Sequence, residues 1–336
     1  MPVSAVGSSS RVRIARVGAG AALTAAQVGG KGASLDRLTR LGHAVPPAFC
    51  VTADAFREQL DAVLDRHGAR TLVAALPDAV ARAELVAAFD ATPTVPALHD
   101  AIEAAISELE ADLRGPATAS DARAAAADAH ADAPAFAIRS SALDEDGAVA
   151  SFAGLHETEL GRSADEVEPA IRRCWASLWS PPAVAYRVSR GIALDGLAMA
   201  VVVQVLVAAD ASAVLFTRHP VTGRDDQILL TAIRGLGEPM VSGDATPDTI
   251  VVDRPSRAIV ERDLGRPGRR QFVVGGRIVE RPDPRIDPAL SDDEIRELVD
   301  IALAVEATEG QPVDIEAARA GGRWFLLQSR PITTRR

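Results

Sequence analysis

Two cysteines in 336 residues, Cys50 and Cys174, are too few for a disulfide framework and read as reduced thiols of a cytoplasmic protein. Aromatic residues make up only 4% of the chain, so aliphatic side chains must fill most of the core. Basic residues are outnumbered, 36 Lys and Arg against 46 Asp and Glu. The net charge of −10 argues against general nucleic-acid binding, which needs a cationic face. No apolar run is long enough to span a bilayer. "LAMAVVVQVLVAA" (197–209) stops short and suits a buried strand. The N-terminus lacks the apolar stretch of a signal peptide. No Ser-His-Asp set, activated cysteine, zinc-like Cys/His spacing or internal repeat is evident.

What is present is enough chain for a large core. A protein of this size buries roughly 75% of its unfolded surface and stands near the length at which one core divides. The front, 1–195, reads as mainly helical with a few strands and a helical insert. The back, 196–336, is β-rich, with a seam near 190–200. Strands are expected at 198–208, 212–217, 227–233, 249–253, 258–262, 271–274, 312–317 and 323–329. One helix, 291–310, interrupts them, capped by Ser291 with Glu294 completing a capping box. Earlier, "VGGKGASLDRLTRLG" (28–42) reads as a Gly turn and then a helix stopped by Gly42. "AFAIRSSA" (135–142) reads as a strand.

The closing segment, "PVDIEAARAGGRWFLLQSRPITTRR", carries a polar set inside apolar sequence. Asp314 and Glu316 stand two apart, as do Gln328 and Arg330, so on strands each pair shares a face. With Gly322 at the centre of a three-residue turn, Glu316 falls opposite Gln328 and Asp314 opposite Arg330. A two-residue turn would shift the pairing by one and break this alignment. Carboxylate and amide oxygens are hard ligands that suit Mg²⁺ together with phosphate oxygens, and Arg offers a fork to phosphate. A surface salt bridge is the plain alternative.

Other stretches fit an anion site less specifically. Lys31 lies between glycines at a helix start, where backbone N–H groups face anions, although the spacing is not that of a P-loop and an ordinary turn would look the same. Arg139 leaves an apolar strand before a Gly/Asp loop, free to hold phosphate or to pair with Asp144 or Glu145. Glu238 is the one acid in a Gly-rich turn and a candidate for assisting metal or nucleotide binding. His219, alone in a loop, reads as structural or exposed.

Taken in order, "VGGKGASLDRL", "VPPAFCVT", "IRSSALDEDGAVASFAG", "CWASLW", "VVVQVLV", "VLFTRHPVTG", "GLGE", "ATPD" and "DIE…FLLQSRPIT" resemble the nucleotide-binding domain of the phosphoenolpyruvate synthase and pyruvate phosphate dikinase family, shared by rifampicin phosphotransferases. The resemblance implies an α+β, ATP-grasp fold of two subdomains clamping ATP and Mg²⁺. It implies that Lys31 and Arg139 contact phosphates and that Gly154 and Thr158 belong to a loop over the nucleotide. Gln204 would lie near the adenine. Glu316 and Gln328 would hold Mg²⁺ with Asp314 in support, and Arg330 would grip a phosphate. Departures from the family pattern fall at Ala213, His219, Arg234 and Pro182. None of the six histidines sits in a Gly-Gly…His-Ala-Ala context. The expectation is therefore the ATP module alone, passing phosphoryl or pyrophosphoryl groups to a histidine on a separate carrier protein. Direct phosphorylation of a small molecule, and nucleotide binding without turnover, are the alternatives.

Overall fold

The Val-rich run marked as a buried strand is the middle strand of a five-stranded antiparallel sheet, and its position explains its composition. In the computed structural model, residues 12–68, 78–114, 134–143, 158–192, 196–266, 268–284 and 287–332 are described. The first sheet runs β1 (Ile14–Arg16), β2 (Ala48–Val51), β5 (Met199–Val205), β3 (Phe136–Ala142), β4 (Thr158–Arg162). Every residue of β5 is buried, because both faces of the sheet are covered. Val201, Val203 and Val205 join Phe49, Val51, Phe136 and Ile138 in one cluster. Helices α2 (Ala53–His67), α3 (Ala79–Ala91), α4 (Pro96–Arg114) and α5 (Ala164–Ala176) complete that cluster. Six of the twelve aromatics lie in this cluster: Phe56 lies 5.7 Å edge-on to Trp175, and Phe89 lies 4.9 Å from Trp179. A short 3-10 turn and α6 (Pro181–Ser189), with prolines in its first turn, follow α5.

The alternate residues of the same strands, Ala48, Cys50 and Val202, face the second sheet across α1 (Ala25–Arg40). That sheet runs β13 (Arg323–Pro331), β12 (Val313–Ala320), β6 (Ala211–Phe216), β7 (Gln227–Arg234), β8 (Asp248–Asp253), β9 (Ile259–Asp263). Val28, Leu35 and Leu38 of α1 share one cluster with Ala213, Leu215, Ala317 and Leu326 of the second sheet. Leu298 and Val299 of α8 (Asp292–Glu309) join the same cluster. Each Val or Leu side chain of this cluster contributes roughly 1.5–3 kcal/mol on burial. The Ser291 capping box is present as expected, with Glu294 N–H donating to Ser291 Oγ and Ser291 N–H donating to Glu294 Oε2. The architecture is α+β, with helices packed on two antiparallel sheets and between them.

One expectation is corrected. The seam expected near 195 gives way to a passage between sheets at 206–210, because β5 hydrogen-bonds to β2 and β3 of the first sheet. The strand expected at 271–274 is present within β10 (Gly268–Val274), which pairs with an unexpected partner, β11 (Arg277–Asp283), in a separate hairpin. Its Gly275-Gly276 turn has both φ positive, which two-residue hairpin turns of this kind require. Leu41 caps α1 beyond its last turn and is exposed. Between β7 and β8 stands a single helical turn, α7 (Glu238–Val241). Among the described residues no helix is long and apolar enough to cross a membrane.

Candidate functional site

The β12–β13 hairpin carries the polar set, and its register is reached by a route the sequence did not suggest. The turn is two residues, Gly321 and Gly322, with Ala320 opposite Arg323. That turn pairs Ala317 with Leu326, a register that would oppose Glu316 to Leu327. A β-bulge between Glu316 and Ala317 then absorbs Leu327, so Glu316 pairs with Gln328 and Asp314 with Arg330 after all. The expected three-residue turn is wrong and the expected site pairing is present. A bulge sets two successive residues against one on the partner strand. It releases Gln328 from the core-facing phase of Trp324 and Leu326 and turns it toward the face of Glu316.

The bulge also exposes a carbonyl, and Arg139 uses it. From β3 in the first sheet, Arg139 Nη1 donates to Leu327 O at 2.7 Å. Its Nη2 donates to Glu316 Oε2 at 2.6 Å and to Gln328 Oε1 at 3.3 Å. One guanidinium thus ties the first sheet to three acceptors of the hairpin. Thr158 pairs directly with Arg139 in the β3–β4 ladder and is exposed beside it. Gly154 lies outside the described residues, as do Asp144 and Glu145.

Lys31 arrives on α1. Gly29, at φ 70° and ψ 173°, breaks the helix into two parts, and the Gly30-Lys31-Gly32 segment opens the second. Ser141, on the same face of β3 as Arg139, clamps this segment: its hydroxyl donates to Val28 O at 2.7 Å and accepts from Gly32 N–H at 3.2 Å. One turn after Lys31, Ser34 Oγ donates to Ser329 O at 2.7 Å, fastening α1 to β13. Lys31 is therefore held on the element that joins β3 to the hairpin. A sequence signal for it was available: it is the only lysine in the chain, among 36 basic residues.

Asp314 and Arg330 form the far end of the row. Arg330 Nε donates to Asp314 Oδ2 at 2.7 Å, with Asp314 only 5% exposed and the Arg330 side chain 41% exposed. Among the described residues Asp314 Oδ1 is buried without a hydrogen-bond partner. Burial pushes the Asp314 carboxyl above its ordinary range; Arg330 opposes this and the nearby Glu316 charge adds to it. A raised folded-state value means that the folded protein binds this proton more tightly than the unfolded chain. The group favours folding most in acid, and that contribution is lost as pH rises from about 3.8 through the folded value. Asp314→Asn is accordingly expected to melt at or above the wild-type temperature at pH 7, with the gap closing toward pH 4. Calorimetry over that range checks this, and a pH-independent difference would refute it.

Gln204 is buried in β5 between Ala48 and Ala137, and its Nε2 donates to Pro46 O at 3.4 Å. The residues after it, Leu206 and Val207, enter a third apolar cluster with Ala137, Leu236, Ala318 and Phe325, drawn from both sheets. Glu238 is exposed at the start of α7, on a turn that brings Gly237 against Ser212. The structure brings Arg139, Thr158, Asp314, Glu316, Gln328 and Arg330 together. Gln204 lies in β5 of the first sheet and Glu238 at the start of α7. His219 serves its own loop, with Nδ1 accepting from the N–H groups of Val221 and Thr222. Arg234, another departure, pairs with Asp283 and donates to the carbonyls of Asp287 and Pro288. The contributions of Leu327 O, Ser141 and Ser34 were not foreseen; only the serine pair after Arg139 hinted at one of them.

The donor set fits a hard divalent cation that keeps water and phosphate oxygens as its other ligands. Glu316 and Gln328 oxygens already converge on one cationic nitrogen, and Asp314 has a buried oxygen to spare. Among the described residues no group of three or more His, Cys, Asp or Glu side chains forms a metal cage. One guanidinium from the first sheet meeting hard oxygens of the second is a donor set that suits phosphate and a divalent cation. Comparison with known proteins gives the class a family. The pyruvate phosphate dikinase AMP/ATP-binding domain matches residues 25–336, and the chain belongs to this family. It is 36% identical over 320 residues to a probable phosphoenolpyruvate synthase of Methanocaldococcus jannaschii, covering 91% of this chain and 25% of that protein. It is 37% identical over 330 residues to a rifampicin phosphotransferase of Streptomyces sp, covering 92% of this chain and 34% of that protein. The prodigiosin synthesizing transferase PigC of Serratia marcescens is 36% identical over 313 residues, with coverage of 92% and 32%. The chain thus spans about a third or less of the length of these relatives.

Proposed function

We propose that the chain is an ATP-grasp phosphotransferase module whose two subdomains, centred on the two sheets, clamp Mg·ATP between them. The reaction would pass a phosphoryl or pyrophosphoryl group to a histidine on a separate phosphohistidine-carrier protein. The observation that carries this reading is the three-acceptor contact of Arg139 with the β12–β13 hairpin. It puts a phosphate-seeking guanidinium and two hard oxygen ligands at one point.

The roles follow position. The apolar cluster of Leu206, Val207, Leu236 and Phe325 would receive the adenine beside Gln204, with Glu238 assisting at that end. Lys31 and Arg139 would bind the phosphates, and Thr158 with the segment around Gly154 would cover them. Glu316 and Gln328 would hold Mg²⁺, with Asp314 in support; the ion, when bound, neutralises phosphate charge. Arg330, half exposed at the end of the row, would stabilise the charge that develops as the group leaves. Phosphoryl transfer needs little more than such positioning and electrostatics.

One observation favours a second reading, direct transfer to a small molecule. Beside Asp314 and Glu316 on the same sheet face, Val214, Phe216 and Leu229 are only half buried, an apolar floor within this chain. Phosphorus NMR of ATP with the protein, with and without a phosphohistidine domain, separates the readings. AMP formed only with that domain supports the carrier route, and transfer to a small acceptor without it supports the second. In either case Arg330→Ala is expected to lower turnover by roughly a hundredfold or more, as loss of a transition-state donor does. ATP binding with no consumption under any of these conditions would sink both.

A further inference from the structure

The contact that ties the sheets together also occupies the ligands proposed for the metal. Resting on the reading above, we propose that Arg139 holds the metal position in the nucleotide-free protein, and that the nucleotide releases it by drawing the guanidinium onto its phosphates. Arg139 Nη2 stands 2.6 Å from Glu316 Oε2 and 3.3 Å from Gln328 Oε1. A Mg²⁺ ion bridging those two oxygens would stand about 2.0–2.1 Å from each, in the space that the nitrogen between them now fills. Arginine does not leave by losing a proton, because its guanidinium stays charged in proteins. It must move to another anion.

The charge balance gives the arrangement a reason. Asp314 and Glu316 lie on one face, two residues apart, and each is matched by its own arginine, Arg330 and Arg139. The pairs differ in exposure: the Arg139 side chain is 13% exposed and the Arg330 side chain 41%. Withdrawing Arg139 into water would leave Glu316 uncompensated on the strand face it shares with Asp314. A triphosphate removes that difficulty, because it offers Arg139 oxygens of higher charge while the cation takes over Glu316. Metal and nucleotide then assist each other, and each strengthens the other by the same factor. Losing a charge-assisted hydrogen bond of this kind corresponds to roughly a tenfold to hundredfold weakening of nucleotide-free metal binding. Arg139 thus acts as a positioning residue for the cation in addition to binding phosphate.

The test uses Mn²⁺ as the probe, with free ion counted by electron paramagnetic resonance, on the whole chain without nucleotide. Arg139→Met is expected to bind Mn²⁺ at least about tenfold more tightly than wild type, and adding Glu316→Gln should remove the gain. Arg330→Met deletes the same charge from Asp314 without vacating Glu316 and Gln328, and its gain should be clearly smaller. Equal affinity in wild type and Arg139→Met would overturn the proposal, as would an equal gain in both variants, which would mark a general charge effect. If Arg139→Met does not fold, wild type decides the matter. A crystal structure with a non-hydrolysable ATP analogue and Mn²⁺ should show Arg139 off Glu316, and an unmoved Arg139 refutes the idea. Nucleotide binding is measured separately by calorimetry in metal-free buffer. Its absence would sink the proposed function and leave the Mn²⁺ comparison interpretable by itself.

Discussion

Gly29→Ala is expected to destabilise the protein by about 3 kcal/mol or more, one of the largest effects of any single methyl group in this fold. Two costs combine. At φ 70° and ψ 173° the backbone is in a region that is essentially restricted to glycine, with a penalty of roughly 1–3 kcal/mol for other residues. A Cβ there would also stand 2.2 Å from Ser141 O and 2.3 Å from Ser141 Oγ. The obstacle is β3 backbone, which cannot rotate away as a flexible side chain could. Overpacking of this kind adds roughly 1–3 kcal/mol. Gly42→Ala provides the contrast, with φ 84° and nothing within 4 Å of its Cβ. It should cost only about 1 kcal/mol. Denaturant midpoints compare the two. Equal shifts would show that the approach of α1 to β3 is not what fixes the Gly-Lys-Gly segment.

Lys31→Arg is expected to keep the fold and lose the function proposed here. Mg·ATP affinity should fall at least about tenfold and turnover by roughly a hundredfold, although the charge is unchanged. The chain uses arginine at every basic position but one; of 36 Lys and Arg residues, 35 are arginine. A compact ammonium with three rotatable donors differs from a broad planar fork. The backbone around Lys31 has no slack to accommodate the exchange. Gly32 is bonded to Ser141, and a Cβ on it would already lie 2.8 Å from Cys50 Sγ. Calorimetric titration and ATP consumption check the two halves. Retention of both within twofold would refute the assignment of Lys31 to the phosphates.

Periodicity and caps were enough to place most elements, because they depend on neighbours in sequence. The Ser291 cap, the buried β5 run and the strand leading to Arg139 are local statements and were readable. What failed depends on partners. β5 reads as the start of a β-rich half, yet it belongs with strands from residues before 143, a choice made by packing on both its faces. The Gly275-Gly276 turn carried a hairpin signature between β-branched residues, and reading only one of its two strands missed the pairing. The site hairpin is the instructive case. The sequence predicts its pairing from a three-residue turn that the molecule does not use, and the bulge at Leu327 restores the same pairing. No residue type announces that bulge, since a leucine between Leu326 and Gln328 looks like one more strand position. Its justification lies 188 positions away in the sequence, in the guanidinium that takes its carbonyl.

Lys31 also makes the molecule unusual to handle. Apart from the terminal amine, reagents that couple to primary amines have a single address on it, and that address belongs to the segment clamped by Ser141 beside Arg139. Fluorophore labelling through succinimidyl esters, or tethering to an amine-reactive sensor chip, would tend to modify this protein where nucleotide is proposed to sit. Protection of that one side chain by ATP could then be read as a single-residue footprint.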